Sequence, residues 1–107
     1  MEVECFKVRL NPNSLGLVRE WSARLNANIK QVKTLLRNEG MSLESVFLEQ
    51  SAEGDFLIYY LRSPDLKRTR EISRASQHPI DVYHRETMKQ IGQKSVQLEC
   101  LLDANGE

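Results

Sequence analysis

The hexapeptide FLIYYL, at residues 56–61, places the tightest constraint on how this chain can fold. Every one of its residues is apolar or aromatic, and successive side chains of a β-strand point to opposite faces. A strand with two apolar faces is stable only when both faces are covered. The hexapeptide therefore predicts a strand inside a layered structure, with helices on one face and a partner layer on the other.

The other elements follow from the spacing of the apolar residues. Alternation of apolar and polar residues predicts strands, whereas apolar residues at three- and four-residue steps predict helices. Gly40 is predicted to end the first helix. Trp21 lies at the edge of the apolar stripe of this helix and is interpreted as a core anchor, with a platform for a ligand as the alternative. The predicted strands are residues 2–10, 42–50, 56–61 and 95–102, and the predicted helices are residues 15–38, 64–75 and 79–90.

Two prolines mark the starts of the later helices. Ser63 is the predicted N-cap of one helix, with Pro64 at its first position, where the fixed φ of proline suits a helix start. The next helix should begin at Pro79, because proline disfavours helical geometry in the preceding residue, His78. The second helical segment of the fold is therefore predicted to be broken in two at Pro79.

The resulting element order, β-α-β-β-α-β, is that of the ferredoxin-like fold in the α+β class. Right-handed crossovers then give a four-stranded antiparallel sheet in the order 4-1-3-2, with the helices on one face. A single domain of this kind accounts for residues 1–107. The first and last strands become neighbours, so we expect Cys5 and Cys100 to lie near each other without being bonded.

Charge and composition argue against several classes of protein. The 15 basic residues balance the 15 acidic ones, so no overall field favours nucleic acid or an acidic membrane. The N-terminal stretch lacks the pattern of a signal peptide, and no apolar run approaches the ~20 residues of a membrane span. We therefore expect a cytoplasmic protein that binds neither nucleic acid nor membrane. The two cysteines lack metal-ligand spacing, and we expect neither a metal nor another cofactor.

The sheet face opposite the helices is predicted to be an interface. Its candidate apolar residues are Cys5, either Phe47 or Val46, and either Tyr59 or Tyr60. A large apolar patch on an exposed surface usually marks an interaction site. We therefore expect a homodimer in which the open faces of two sheets pack against each other.

The stretch SQHPIDVYH, at residues 76–84, contains both histidines of the chain and is the main candidate for a catalytic site. Asp81 and His84 are three residues apart and share a helix face, and His78 lies just before the helix. These three residues could perform acid–base chemistry or hold a divalent metal. The structural alternative is that they only begin a helix, with Asp81 favourably placed in its first turn.

Five further residues are candidates for ligand binding. Glu44 and Glu49 are five apart on one predicted strand and face opposite sides, so only one of them can enter a cavity. Tyr59 and Tyr60 also face opposite sides, and Tyr83 stands next to His84. The structural alternatives are charge on an edge strand for the glutamates and core or interface packing for the tyrosines.

Three stretches, VECFKVRL, ESVFLEQ and HPIDVYH, carry a family resemblance. They resemble a small family of bacterial proteins of unknown function that share ESVFLE and HPID motifs, here at residues 44–49 and 78–81. The resemblance covers most of residues 2–90. The family in turn resembles the dimeric α/β-barrel superfamily, which includes antibiotic-biosynthesis-type and haem-degrading monooxygenases and rhamnose mutarotase.

The resemblance implies a small dimeric α/β-barrel protein that binds or transforms a small polar or aromatic molecule. The chemistry would be monooxygenase-like or isomerase-like, in a pocket near the broken second helix. The alternative is a non-catalytic regulatory or assembly module that uses the sheet face for dimerisation. The sequence leaves open whether the protein is an enzyme.

Overall fold

Eight elements follow one another along the 107 residues, all of which the computed structural model describes. The strands are β1 (Glu2–Leu10), β2 (Leu43–Ser51), β3 (Gly54–Ser63) and β4 (Gly92–Gln97). The helices are α1 (Leu15–Ala27), α2 (Ile29–Glu39), α3 (Leu66–Ala75) and α4 (Pro79–Ile91). The strands form one antiparallel sheet in the order β2-β3-β1-β4, which confirms the predicted ferredoxin-like α+β fold. None of the helices is long and apolar enough to cross a bilayer.

The central strand β3 has its helix-facing side covered, as the hexapeptide predicted, whereas a layer over its other face stays a prediction. Leu57, Tyr59 and Leu61 are buried on the side of the helices. Ile58 and Tyr60 alternate with them and belong to the opposite, open face of the sheet. The register pairs Tyr59 with Phe6 on β1 and with Val46 on β2, so these three side chains lie next to one another under the helices.

The core is formed where helices α1 and α4 pack on β1 and β3. Ile91 and Leu57 are the most deeply buried of its apolar residues, and Trp21 is only 4% exposed, which confirms its predicted role as a core anchor. The buried residues of this cluster are Val8, Leu10, Val18, Trp21, Leu57, Tyr59 and Ile91.

The predicted helix over residues 15–38 is wrong in one respect, because the chain breaks it at Asn28. Asn28 adopts φ −114° and ψ 30°, and its side-chain amide donates to the Arg24 carbonyl at 2.9 Å. Asparagine competes in this way for the backbone groups that a continuous helix would use. The apolar stripe passes through the break, so the spacing of apolar residues gave no sign of it. Gly40 ends α2 with φ 80°, as predicted.

Helix α3 starts two residues later than predicted, and its cap is a different residue. Asp65 is the N-cap, and its carboxylate accepts a hydrogen bond from the Arg68 amide at 3.1 Å. Ser63 is the last residue of β3 and is fully buried, where it donates to the Gly40 carbonyl at 2.9 Å. Asp and Ser are comparably good N-caps, so the sequence alone did not separate them.

Helix α4 starts at Pro79 as predicted and runs one residue longer, to Ile91, before passing directly into β4. The predicted last strand, residues 95–102, is corrected to Gly92–Gln97. Beyond it, the Leu98 amide donates to the Cys5 carbonyl at 2.9 Å, and the remaining tail is exposed. Cys5 and Cys100 are free thiols that line the same surface cavity. The alternating apolar residues predicted a longer strand, but this edge of the sheet has no layer to cover them.

Candidate functional site

The site lies in a cavity of about 320 Å³ between the sheet and the helices, which we call the central cavity. Elements from both halves of the chain contribute to its lining: α1, α2, β2, α3 and α4. One part of the lining is apolar and comes mainly from α2. The polar part contains an indole, three carboxyl groups and an imidazole, which belong to Trp21, Glu39, Glu44, Asp81 and His84.

His84 is held in place by Trp21, across the contact of α4 with α1. The indole Nε1 donates a hydrogen bond of 3.1 Å to Nδ1 of His84. Burial lowers the pKa of His84, an effect that the charge of Asp81 partly offsets. The imidazole is therefore neutral at pH 7, and an accepting Nδ1 leaves its single proton on Nε2. His84 therefore presents Nε2–H as a hydrogen-bond donor, because the hydrogen bond from Trp21 occupies Nδ1.

Glu39 and Asp81, which we call the carboxyl pair, are the most unusual groups of the cavity. Glu39 is only 6% exposed. Burial raises the pKa of Glu39 to about 8, and a hydrogen bond to the Asp81 side chain and the charges of Asp81 and Glu44 act in the same direction. Two carboxyl groups placed so close cannot both ionise easily, so the pair holds one proton at neutral pH.

The hydrogen bonding of the carboxyl pair agrees with a shared proton. As two carboxylates, Glu39 Oε1 and Asp81 Oδ2 are buried acceptors that no donor of the protein reaches. Such an oxygen costs about 1–3 kcal/mol if it stays unsatisfied. A proton held between the two groups, or a ligand in the cavity, supplies the missing hydrogen bond.

Glu44 of β2 and Tyr59 of β3 lie on the side of the sheet that faces the helices. Burial, and then the charge of Asp81, raises the pKa of Glu44. Burial also raises the pKa of Tyr59, whose hydroxyl contacts Met88 Sδ at 3.1 Å. The phenol ring is edge-on to His84, with 6.2 Å between ring centroids. Tyr59 is therefore a neutral phenol that packs against the imidazole of His84 from the side of the sheet.

The candidates of the stretch SQHPIDVYH separate into two groups. Asp81 and His84 line the central cavity. His78 does not; it is the N-cap of α4, and its Nδ1 accepts a hydrogen bond from the Ile80 amide at 3.1 Å. The structure thus combines two of the interpretations of this stretch, since its first residues begin a helix and its later residues enter the cavity.

The remaining ligand candidates lie outside the central cavity. Glu49 is on the open face of the sheet, where Lys7 Nζ lies 2.7 Å from its carboxylate. Tyr60 is on the same face and accepts a hydrogen bond of 2.5 Å from Arg62 Nε. Tyr83 packs against the core, and the guanidinium of Arg24 lies 4.0 Å from its ring centroid.

Glu39 was not among the residues that the sequence singled out. A weak signal for it was present, since it is an acidic residue directly before the C-terminal Gly40 of a helix. The helix dipole disfavours a negative charge at this end, so a glutamate there departs from the usual pattern. Such departures from local rules occur preferentially at functional sites.

No group of three or more His, Cys, Asp or Glu side chains is placed to hold a metal ion. The ionisable groups of the site are a carboxyl pair that shares one proton, the further buried carboxyl group of Glu44, and the neutral imidazole of His84, whose Nε2–H is a hydrogen-bond donor.

Comparison with known proteins gives a family and a fold. Residues 1–106 match the sequence model of a family of unknown function (DUF6176). No curated protein is significantly similar to the chain. Among solved structures, L-rhamnose mutarotase from Formosa agariphila is similar over 98% of this chain and 100% of its own, with a TM-score of 0.63 and 23% identity.

Two further structures share the fold. Tetracenomycin F2 cyclase from Streptomyces glaucescens, a type-II polyketide cyclase, is similar over the whole of both chains, with a TM-score of 0.60 and 12% identity. A dimeric protein of unknown function and ferredoxin-like fold from Bacteroides fragilis is similar over 90% of this chain and 91% of its own, with a TM-score of 0.53 and 14% identity. Fold similarity alone does not transfer an activity.

Proposed function

Because the chain belongs to DUF6176, a family of unknown function, we propose its activity from the site itself. It binds a small molecule in the central cavity and moves a proton between two oxygen atoms of that molecule. This is isomerase-like chemistry, of the kind that opens and closes a cyclic hemiacetal.

The carboxyl pair is the observation that carries this proposal. A pair that holds one proton can donate from one oxygen and accept at another, so it supplies a general acid and a general base in the same place. Glu39 is the acid, because its pKa of about 8 keeps it protonated at neutral pH. Asp81 is the base, since its carboxylate accepts the hydrogen bond of protonated Glu39 and no other protein donor reaches its buried Oδ2. On ring opening Asp81 takes the proton of the anomeric hydroxyl while Glu39 gives its proton to the ring oxygen, and the bond between the anomeric carbon and the ring oxygen breaks. Closure on the other face of the resulting carbonyl re-forms that bond with both transfers reversed, so a complete turnover returns the proton to Glu39.

His84 supports the same transfer. Its Nε2–H is a neutral donor in a cavity of low dielectric constant, where a hydrogen bond to developing negative charge on an oxygen is strong. Trp21 holds the imidazole in this tautomer through Nδ1. Two similar structures, a mutarotase and a polyketide cyclase, support a small-molecule activity on this fold.

Exchange NMR tests the proposal on reducing hexoses, pentoses and 6-deoxyhexoses, whose anomers interconvert by such a proton transfer. We expect the protein to accelerate interconversion of at least one sugar over buffer at pH 7, and Glu39→Gln to abolish the acceleration. Glu20→Gln is the matched control, because Glu20 is an exposed glutamate of α1. Equal acceleration by the wild type and Glu39→Gln would overturn the assignment of the acid.

We also propose that two copies pack through the open faces of their sheets. Phe47 and Val96, at 60% and 62% exposed, leave apolar surface on this face, together with Ile58 and Tyr60 of β3. The Lys7–Glu49 ion pair lies among these residues, so the face is mixed, and exposed apolar surface of this kind often marks an interaction site. The similar protein from Bacteroides fragilis is dimeric, which supports this proposal.

Analytical ultracentrifugation tests the dimer. Phe47→Asp should shift the protein from dimer to monomer, because it places an unpaired charge in an apolar contact between the two sheets. Ile72→Asp is the control, since Ile72 is an exposed apolar residue of helix α3. A wild type that sediments as a monomer would contradict the proposal.

A further inference from the structure

The charges that line the central cavity restrict the ligand. Three carboxyl groups line it, and no lysine or arginine does. The cation that acts on the site is Arg85, whose charge lowers the pKa of Glu39 and His84, but its guanidinium donates to the Ser73 and Ser76 carbonyls and is not part of the lining. An anionic ligand would therefore meet the carboxyl groups without a cation in the lining to bind it, and burial would make this repulsion costly. The cavity therefore disfavours binding of phosphates and carboxylates.

The cavity also points to a ligand in a second, independent way. Glu39 lines the cavity and is more than nine-tenths buried, and its Oε1 has no hydrogen-bond partner in the protein apart from the proton that it shares with Asp81. The carboxyl pair with its single proton presents one donor and one acceptor. A hydroxyl or a carbonyl with a neighbouring hydroxyl matches both, whereas an ammonium group offers only donors and would face the proton of Glu39.

Eight of the lining residues are hydrophobic, and those of helices α2 and α4 form what we call the apolar wall. Helix α2 contributes Ile29, Val32 and Leu36 to the lining, and Ile80 of α4 adds a further apolar side chain. These residues have no group that can hydrogen-bond a hydroxyl. A hydroxyl group that faces this wall would lose its hydrogen bonds to water without replacing them, whereas a hydrocarbon edge, such as the methyl group of a 6-deoxyhexose, gains from burial.

We infer that the cavity takes an uncharged molecule with hydroxyl or carbonyl oxygens at one end and a hydrocarbon edge at the other. The oxygen end lies at the carboxyl pair, where α2 ends at Glu39, and the hydrocarbon edge lies on the apolar wall formed by the residues that precede Glu39 on the same helix. This inference rests on the proposed function for the site, and it names the chemical class of the substrate.

Three probes of nearly equal shape test the class: cyclohexylmethanol, cyclohexylmethylammonium and cyclohexanecarboxylate. Their binding to the full chain at pH 7 is measured by NMR, on the indole N–H of Trp21. We expect the alcohol to bind best, the ammonium to bind more weakly, and the carboxylate to bind weaker than the alcohol by about tenfold or more. Equal or tighter binding of either charged probe would overturn the inference.

A wall variant separates the hydrocarbon edge from the oxygen end. Ile29→Ser should weaken binding of cyclohexylmethanol several-fold, because it removes apolar surface from the wall. Leu17→Ser is the matched control, since Leu17 is similarly exposed, at 38% against 41%, and lies outside the cavity. No effect of Ile29→Ser would contradict the predicted hydrocarbon contact.

The binding results are independent of turnover. If the alcohol is preferred but no sugar is turned over, the inferred ligand class stands and the proposed proton transfer fails. If a sugar is turned over and a charged probe is preferred, the proposed function stands and the inferred class fails.

Discussion

Trp21 Nε1 donates a hydrogen bond of 3.1 Å to Nδ1 of His84, which connects helix α1 to helix α4 across 63 residues of chain. The bond gives a core residue a second role. The buried indole finds an acceptor for its N–H, and the imidazole is left with its proton on Nε2. The packing of the core and the protonation of the site therefore depend on the same contact.

Trp21→Phe should remove the hydrogen bond that selects the tautomer of His84. Without the indole donor, His84 Nδ1 can take the proton, so the population of the Nε2–H tautomer should fall and the pKa of His84 should rise. We expect a loss of stability of about 1–3 kcal/mol from the lost hydrogen bond and volume. Long-range ¹H–¹⁵N NMR of the imidazole measures the tautomer. Tyr83→Phe, next to His84, is the control and should leave the tautomer unchanged.

The free energy of unfolding should depend on pH through the ionisation of Glu39. The folded pKa of about 8 lies above the ordinary value of 4.5, so the folded state binds more protons than the unfolded state between these values. The contribution of Glu39 to the free energy of unfolding is complete below about pH 4.5 and falls as the pH rises toward 8.

Urea unfolding of wild type and Glu39→Gln across this range measures the effect. The stability of the wild type relative to the variant should decrease with rising pH, by an amount on the order of a few kcal/mol. The difference isolates Glu39 from His84, whose lowered pKa acts in the opposite direction, since its contribution is lost as the pH falls below 6.5. A difference that does not vary with pH would contradict the raised pKa.

The two glycines of the helical layer should respond in opposite ways to alanine. Gly40 has φ 80°, and a Cβ there would meet Thr69 Oγ1 only at the ordinary distance of 3.4 Å. Gly40→Ala should therefore destabilise the protein by about 1–2 kcal/mol through its backbone conformation, and should disturb the adjacent Glu39. Gly16→Ala, in α1 with nothing near its Cβ, should stabilise by roughly 0.5–1 kcal/mol. Denaturant unfolding compares the two.

His78 should matter for stability and not for binding. Its side chain caps α4 and is absent from the lining of the central cavity. His78→Ala should cost about 1 kcal/mol of unfolding free energy, and His78→Asn should restore most of it, because asparagine is a good N-cap. Both variants should bind cyclohexylmethanol like the wild type. Weakened binding by the stable Asn variant would instead place His78 in the site.

The sequence predicted most of the fold because its strongest signals are local. The hexapeptide at residues 56–61 fixed the central strand, and His78-Pro79 fixed the start of α4. The break at Asn28 was missed because an asparagine within a continuous apolar stripe does not by itself end a helix. The last strand was predicted too long because alternation at an edge does not report whether a covering layer exists.

Only part of the candidate site could be predicted from the sequence, for a related reason. Asp81 and His84 share one helix face, which is a local property that the spacing reveals. Glu39 comes to Asp81 only through the packing of α2 beside the second half of the chain, and its buried state depends on that packing. Glu44 and Glu49 could be assigned to opposite faces, and the structure places Glu44 in the cavity.

The central claim is that the carboxyl pair holds a proton at neutral pH, and a ¹³C NMR titration of the Glu39 carboxyl group tests it most directly. Glu39→Gln identifies the resonance by its disappearance. We expect Glu39 to titrate with a midpoint near 8, so that it is a protonated acid at pH 7. A midpoint near the ordinary 4.5 would show two separate carboxylates, and the proposed proton transfer would lose its acid.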